Sequence, residues 1–382
     1  MIVAPPSAIT RLDRISPTLY EAAMKCTSRA SWLAKGDRTA VPAHPRALLG
    51  IAVHGVLERA RTEGNSGTTD DERRADAEAS FDERVQVLFA SAHPLLRAKF
   101  EGADRLPFYH LFRARAAQMA LDFGAPFGPR AGHDIARTVS NRPAAEAALA
   151  SKDGRVVGRA DVLDPARATV LDYKTGDADH SGTLTEPELR QLRLYAYLGM
   201  ENGITISRGV IERADRTRVE TPISSHQAEE EGQRALLVLD RYNEHAGKPF
   251  EAAATPSPDS CRFCPCIPFC EAFWRTADIQ WSNRCGTHVE GVVASVSEGQ
   301  LISIDLEITR GTGPRGAAVA TRLSRDWLTF PGAAVPHPQQ TVRLTDVAHV
   351  GESDAPLIFR ADRVSTAVWT LAHKEPLTQV AS

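Results

Sequence analysis

The chain has 382 residues, of which 42% are hydrophobic and 24% are charged, which is the balance of an ordinary globular protein. This composition excludes a disordered, collagen-like or coiled-coil protein, and the length suggests two or three domains. The 45 Lys and Arg residues against 48 Asp and Glu give a formal net charge of −3. That charge argues against a uniformly basic nucleic-acid coat but leaves room for a local basic groove.

Targeting and membrane signals are the next features to consider. No segment reaches the ~18 apolar residues that a membrane span needs, and Met1–Thr10 lacks a basic region followed by an apolar stretch. We therefore expect a cytoplasmic protein without a membrane partner. Structural disulfides are rare in that reducing compartment, so the six cysteines need another explanation.

The N-terminal part of the chain is predicted to be helical. Ser16 is a suitable N-cap for a helix that ends near Cys26. A second helix is predicted from Pro45 to about Arg61, and it carries His54. The helical period returns from Phe81 to Phe123 after a polar stretch.

Strand patterns begin near Asn141. Two of them are separated by a turn at Pro165, which predicts a hairpin. The predicted elements are strands over 155–163 and 168–174, a helix over 186–199, a strand over 204–211 and a helix over 225–246.

The hairpin carries the strongest chemical signal. Asp172 and Lys174 share one face of the second strand, and Asp161 on the first strand can converge on that face. Two carboxylates suit a hard cation such as Mg²⁺, which can lower the pKa of a water and orient it as a nucleophile. The lysine can position or deprotonate that water and offset charge on a phosphate. Taken alone, Asp-x-Lys is more often an ordinary charged surface pattern.

Two helical motifs accompany the hairpin. Gln191 and Tyr195 are four residues apart, so they share a helix face and can hydrogen-bond a phosphate or the strand. Gly50-Ile-Ala-Val-His54 lies on the earlier helix, although a lone histidine is more often structural than a ligand.

Four of the cysteines lie within ten residues: Cys261, Cys264, Cys266 and Cys270. In the cytosol such a cluster predicts a metal site.

In this order, the motifs resemble the RecB-like branch of the PD-(D/E)XK nucleases. More narrowly, they are similar to the iron–sulfur nucleases typified by the CRISPR-adaptation exonucleases and the AddB nuclease domain. The resemblance spans roughly residues 16 to 275 and comprises Ser-Pro-Thr-x7-Cys, Gly-x3-His, Gly-Arg-x-Asp, Asp-Tyr-Lys-Thr-Gly, Gln-x3-Tyr and Cys-x2-Cys-x5-Cys. It implies an α/β fold with a restriction-endonuclease-like core, in which helices flank a mixed sheet.

The resemblance also implies the site residues. The ligands of Mg²⁺ or Mn²⁺ would be His54, Asp161, Asp172 and the backbone carbonyl of Tyr173. Lys174 would be the catalytic lysine, and Gln191 and Tyr195 match the Gln-x-x-x-Tyr motif. Glu146 lies where many members carry a glutamate before the hairpin, although a solvated helical glutamate is an equally good interpretation.

A 4Fe–4S cluster is the second cofactor that the resemblance implies, with Cys26, Cys261, Cys264 and Cys270 as its ligands. Cys266 is an additional thiol that could replace Cys270. Thr27 follows Cys26 where the family often has proline, and Cys285 is interpreted as a bystander. The alternative is Zn²⁺ bound by the four clustered cysteines, without Cys26. We favour iron–sulfur because Cys26 lies in the expected helix.

The last part of the chain is predicted to be a separate domain. Residues 285–382 have an all-β pattern that suits a small OB-like barrel, after a nuclease domain of residues 1–284. Its aromatic residues could stack on single strands, but packing in a small core is the favoured interpretation. These residues are Trp327, Phe330, Phe359 and Trp369.

These features predict a Mg²⁺- or Mn²⁺-dependent deoxyribonuclease that hydrolyses phosphodiester bonds. The resemblance alone suggests single-stranded DNA or DNA ends as substrate, a role in repair, recombination or antiphage defence, and a helicase or another such protein as partner. The alternative is a DNA-binding or scaffolding subunit of a helicase–nuclease or defence complex that is silent in isolation. The intact Asp161, Asp172 and Lys174 favour the enzyme.

Overall fold

A computed structural model describes most of the chain, namely residues 7–35, 40–123, 142–176, 182–328, 335–350, 357–361 and 363–371. The described residues form a mixed α/β part followed by a β-barrel. Among them, no helix is both long and apolar enough to cross a membrane.

The α/β part is built on a five-stranded mixed sheet with the strand order β1-β2-β3-β4-β5. Its strands are β1 (Ala144–Ala150), β2 (Val157–Asp164), β3 (Thr169–Lys174), β4 (Arg208–Arg213) and β5 (Arg218–Pro222). Strands β3 and β4 pair in parallel, whereas the other neighbours are antiparallel. A parallel pair needs a crossover, and helix α7 (Glu186–Glu201) supplies it.

Helices cover both faces of this sheet. One face packs against α3 (Pro45–Thr62), α4 (Asp70–Ala90) and α6 (Tyr109–Leu121), with α5 (Pro94–Phe100) beside them. The other face packs against α1 (Pro17–Lys25), α2 (Thr27–Lys35), α7 and α8 (Ser225–Asn243). Strand β3 is therefore buried on both faces: Leu171 and Tyr173 belong to the first core and Val170 to the second.

Several elements differ from the sequence-based expectation. Helix α4 begins at Asp70, well before Phe81, because Thr69 and Glu72 form a capping box that starts the helix within the polar stretch. Strand β1 was not predicted, since its alanine-rich sequence favours a helix. Its antiparallel pairing with β2 over Ala144–Ala150 outweighs that propensity and places Glu146 in a strand rather than a helix.

The C-terminal part is a closed five-stranded barrel, which is consistent with an OB-like fold. The order β10-β8-β7-β6-β9 closes through a further pairing of β10 with β9, and β11 adds to β9. The strands are β6 (Thr287–Glu298), β7 (Ile302–Gly311), β8 (Gly316–Leu323), β9 (Thr341–Val350), β10 (Leu357–Arg360) and β11 (Ala367–Thr370). Phe359 and Trp369 are buried, as core packing predicts, whereas Phe330 and the side chain of Trp327 lie outside the described residues.

A buried arginine joins the barrel to the segment of residues 261–270 that carries the four clustered cysteines, which we call the cysteine segment. Arg343 on β9 is 3% exposed, and its guanidinium lies 2.7 Å from the Glu290 carboxylate of β6. It also donates to the Pro268 carbonyl at 3.0 Å and contacts Glu271, the first residue of α10 (Glu271–Thr276). The loop between Cys264 and Cys270 therefore accepts a hydrogen bond from the barrel at Pro268, and Glu271 directly after it forms an ion pair with the barrel.

We expect Arg343→Met to destabilise the protein by about 3–5 kcal/mol, because it leaves the buried Glu290 carboxylate without its close partner. Urea unfolding followed by circular dichroism measures the change. Arg310→Met is the matched control, since Arg310 contacts the same two carboxylates but is 44% exposed. Its effect should stay within about 1 kcal/mol. Equal effects of both substitutions would show that Arg343 has no special role at this joint.

Candidate active site

The backbone pairing of β2 with β3 stops before the end of β3, and the Asp161 side chain there accepts a hydrogen bond from the β3 backbone. The pairing of the two strands ends at Val162 and Leu171, and the Oδ2 atom of Asp161 then accepts a hydrogen bond from the Tyr173 N–H at 2.6 Å. This charge-assisted bond fixes the Asp161 carboxylate beside Asp172 and Lys174.

His54 reaches the same carboxylate from helix α3. Its Nδ1 atom lies 3.6 Å from Oδ1 of Asp161. Burial lowers the pKa of His54, but the hydrogen bond to Asp161 and the charges of Asp161 and Asp172 raise it above its ordinary value overall. Gly50, one turn earlier, lets the helix approach closely, because a Cβ there would lie 2.7 Å from Oγ1 of Thr175. The Gly-x-x-x-His spacing thus has a steric reason.

Asp172, Lys174 and Gln191 form a hydrogen-bonded group. The Lys174 Nζ atom lies 2.7 Å from Oδ2 of Asp172 and donates to Oε1 of Gln191 at 2.8 Å. The Gln191 amide donates in turn to Oδ1 of Asp172 at 2.6 Å. Asp172 and Lys174 share one face of β3 because side chains alternate along a strand, and α7 packs on that face with Gln191 beside them.

Tyr195 connects this group to strand β2. Its hydroxyl accepts from Nε2 of Gln191 at 3.3 Å and donates to the Arg159 carbonyl at 2.7 Å. Gly158 makes room for the ring, since a Cβ there would lie 2.9 Å from Cε1 of Tyr195. Burial and the charge of Asp172 raise the pKa of Tyr195, so the hydroxyl stays protonated and can keep donating.

A divalent cation fits this set of donors. Burial and the negative charge of Asp161 raise the pKa of Asp172 to about 6, although Lys174 and His54 lower it. Oδ2 of Asp172 is buried and, despite the nearby ammonium, receives no well-aligned hydrogen bond. A buried carboxylate oxygen with spare capacity to accept suits a hard cation. Within the described ranges, however, no three His, Cys, Asp or Glu side chains are close enough together to hold one ion as they stand.

The remaining predicted ligands lie at the edge of the group. Glu146 on β1 is opposite Asp161, has a left-handed φ of 51°, and its Oε2 is 3.7 Å from Nη1 of Arg159. Tyr173 lies between Asp172 and Lys174, and its hydroxyl accepts from Arg61 at 3.1 and 3.2 Å. The roles of Glu146 and of the Tyr173 carbonyl stay predictions.

The cysteines gather where α1 meets the cysteine segment. Cys26 ends α1, and its Sγ accepts from the Thr255 N–H at 3.5 Å. Charges on Cys26, Cys264 and Cys270 all contribute to the raised pKa of Cys266. The largest cause of the raised pKa of Cys266 is a hydrogen bond with Cys264. The same bond lowers the pKa of Cys264 to about 7. Cys26 is thus near enough for its charge to act on Cys266 and Cys270, although no three cysteines of the described residues lie close enough together to hold a metal as they stand.

Cys261 is placed differently from the other clustered thiols. Burial raises its pKa to about 12, and the charges that add to this shift come from Cys264 and Cys285 rather than from Cys26. Helices α9 (Pro258–Cys261) and α11 (Ser282–Cys285) are neighbours, which explains the proximity of Cys285. All six cysteines are free thiols.

Sequence reasoning missed two cationic residues near the end of β3. Arg46 and Arg115 line a small cavity of about 60 Å³ together with Thr175 and Gly176. Arg46 lies eight residues before His54, which is about two helical turns, so its spacing was an available signal. Arg115 lies on α6, and only the tertiary structure brings it here.

Residues 14–271 match the PD-(D/E)XK nuclease superfamily. The chain therefore belongs to this superfamily, whose members are in general metal-dependent nucleases. A solved structure described as "Crystal structure of SSO0001" is 13% identical with a TM-score of 0.25, and the match covers 67% of this chain and 95% of that chain. No curated protein matches the sequence.

Proposed function

We propose that the protein is a Mg²⁺- or Mn²⁺-dependent deoxyribonuclease that hydrolyses phosphodiester bonds in single-stranded DNA or at DNA ends. The observation that carries the proposal is the hydrogen-bonded group of Asp172, Lys174 and Gln191 beside the Asp161 carboxylate. A structural hairpin has no need of a lysine held between a buried carboxylate and an amide. We assign this chemistry to residues 1–284 and treat residues 285–382 as a second domain.

The proposed mechanism assigns a task to each side chain. Asp161, Asp172 and His54 would hold the cation, which would supply polarisation of the phosphate and a lower pKa for a bound water. The Lys174 ammonium lies where it can donate to a phosphate oxygen and offset the charge that develops there. Gln191 orients Lys174 and Asp172 together, and Tyr195 holds Gln191 against strand β2.

We also propose that Cys26 and three thiols of the cysteine segment hold a 4Fe–4S cluster. Support comes from the influence of the Cys26 charge on the pKa values of Cys266 and Cys270, and from the absence of disulfides among the six cysteines, all of which are described. The resemblance favours Cys261, Cys264 and Cys270 as these three ligands, with Cys266 as the alternative to Cys270, while the charge of Cys26 acts on Cys266 and is not among the causes that shift the pKa of Cys261. The cluster would join α1 to the end of the nuclease domain and act mainly in stability.

The function is tested by incubating the protein with end-labelled single-stranded DNA, duplex DNA and RNA, with Mg²⁺ or Mn²⁺. We expect cleavage of single-stranded DNA that needs the cation and stops on addition of EDTA. The matched control is Asp172→Asn, which keeps the side-chain shape but removes the charge that a cation needs. Absence of cleavage with either metal on every substrate would support the alternative, a DNA-binding or scaffolding subunit.

A further inference from the structure

Two helix faces border the end of strand β3 next to the candidate active site. On α3, Arg46, Gly50 and His54 follow each other at intervals of four residues, and Ile51 lies beside them. On α6 and at its N-terminus, Phe108, Leu111 and Arg115 are spaced by three and four residues. Arg46, Leu111 and Arg115 line one small cavity whose other lining includes Thr175 and Gly176, the residues that follow Lys174. We call this surface the α3–α6 cleft.

The α3–α6 cleft exposes apolar side chains that a protein core would normally bury. Ile51 is 60% exposed, and Phe108 and Leu111 are each 44% exposed. The Arg46 guanidinium lies over the Phe108 ring, 4.1 Å from its centroid. An aromatic ring capped by a guanidinium is a flat cationic platform. Apolar and cationic groups therefore alternate along a surface that leads to His54.

Phe108 is also held in an unfavourable conformation. It occupies the N-cap position of α6 with a left-handed φ of 71°, and its side chain makes no capping hydrogen bond. A left-handed φ is energetically unfavourable for a bulky residue. A short polar residue such as asparagine would tolerate this φ and could also cap the helix. The position thus serves neither the helix nor the core, which points to contact with a ligand.

We infer that the α3–α6 cleft binds a single strand of the nucleic-acid substrate, with unstacked bases on Phe108, Leu111 and Ile51 and phosphates on Arg46 and Arg115. The inference rests on the proposed function and deepens it, because it gives a structural reason for a single-stranded substrate. Apolar side chains can meet the face of a base only where the base is unstacked, whereas a duplex presents base edges in its grooves. The position of the cleft would deliver the strand to His54 and Asp161.

The test measures binding without cleavage, by fluorescence anisotropy of a labelled oligothymidylate in EDTA. Phe108→Ala is expected to weaken single-strand binding by about tenfold, which is typical of losing one aromatic platform. Binding of a duplex should change much less. Arg46→Gln should lower the salt dependence of single-strand binding, with a slope reduced by roughly 0.7 for one phosphate contact. Phe108→Asn, which tolerates the left-handed backbone, guards against misfolding and should give the same loss.

Leu237→Ala is the matched control, since Leu237 is 58% exposed but lies on α8, on the other face of the sheet. It should bind single strands as the unaltered chain does. Unchanged single-strand affinity in both Phe108 variants, or an equal loss for duplex, overturns the inference. DNA cleavage by the unaltered chain is measured separately. If the chain cleaves DNA but the Phe108 variants bind single strands normally, the proposed function stands and the inference about the α3–α6 cleft fails.

Discussion

Lys174→Ala is expected to lower the rate of DNA cleavage by at least about 10²- to 10³-fold, the range seen when a preorganised donor to a developing charge is lost. The Lys174 ammonium lies 2.7 Å from Oδ2 of Asp172 and 2.8 Å from Oε1 of Gln191. Lys174 is the cationic member of the group that it forms with Asp172 and Gln191. Single-turnover cleavage of end-labelled single-stranded DNA measures the chemical step directly.

Measurements of metal binding distinguish the role of Lys174 from that of Asp172. Titration with Mn²⁺ should show that Lys174→Ala still binds the cation, whereas Asp172→Ala binds it weakly and is inactive as well. Lys152→Ala is the control for loss of a positive charge, because Lys152 is 77% exposed and lies 3.9 Å from Glu201. It should cleave at the normal rate. Normal cleavage by a pure, folded Lys174→Ala preparation would remove this lysine from the mechanism.

Cys26→Ser is expected to remove the cluster that we propose. Protein purified without oxygen should be brown and contain about four iron atoms per chain, and the substitution should bleach it and lower its stability. The reason is that Cys26, although remote in sequence, is near enough in the structure for its charge to act on Cys266 and Cys270. Iron analysis, the visible spectrum and the thermal midpoint measure these changes.

Three further variants define the ligand set. Cys285→Ser should keep the iron, since Cys285 is not part of the family's cysteine pattern and its thiol donates to the Trp281 carbonyl at 3.3 Å. Cys261→Ser and Cys266→Ser form a matched pair, and the family pattern predicts that only Cys261→Ser loses iron. Loss of iron only in Cys266→Ser would assign the fourth position to Cys266. Stoichiometric zinc, no iron and an unaffected Cys26→Ser would establish the local zinc site instead.

Local patterns were sufficient to predict many of the elements that position the site. Ser16 accepts a hydrogen bond at the start of α1, as a serine before proline predicts. The hairpin of β2 and β3 lies close to its expected bounds, because strand-forming residues and a turn at Pro165 are both local signals. The placement of Asp172 and Lys174 on one strand face follows from the two-residue period of side chains along a strand.

Features that depend on distant pairing could not be predicted in this way. Glu146 lies in a strand only because β1 pairs with β2, and its alanine neighbours gave the opposite signal. Phe108 has an unusual φ that no propensity foretells. The contact of Arg343 with Glu271 joins residues 72 positions apart, so the connection of the cysteine segment to the barrel is invisible in any local window.

That last contact has a consequence for how the protein is made. On the ribosome, Glu271 emerges 72 residues before Arg343 does, and the clustered cysteines emerge before Glu271. At about 5–20 residues per second, this interval lasts roughly 4 to 14 s. During it, the thiols of the cysteine segment and the Glu271 carboxylate are already present, while the arginine that contacts Glu271 is still unsynthesised. For the cluster that we propose, delivery of metal to the thiols therefore has a natural interval, which ends once strand β9 is made and Arg343 can reach Glu271.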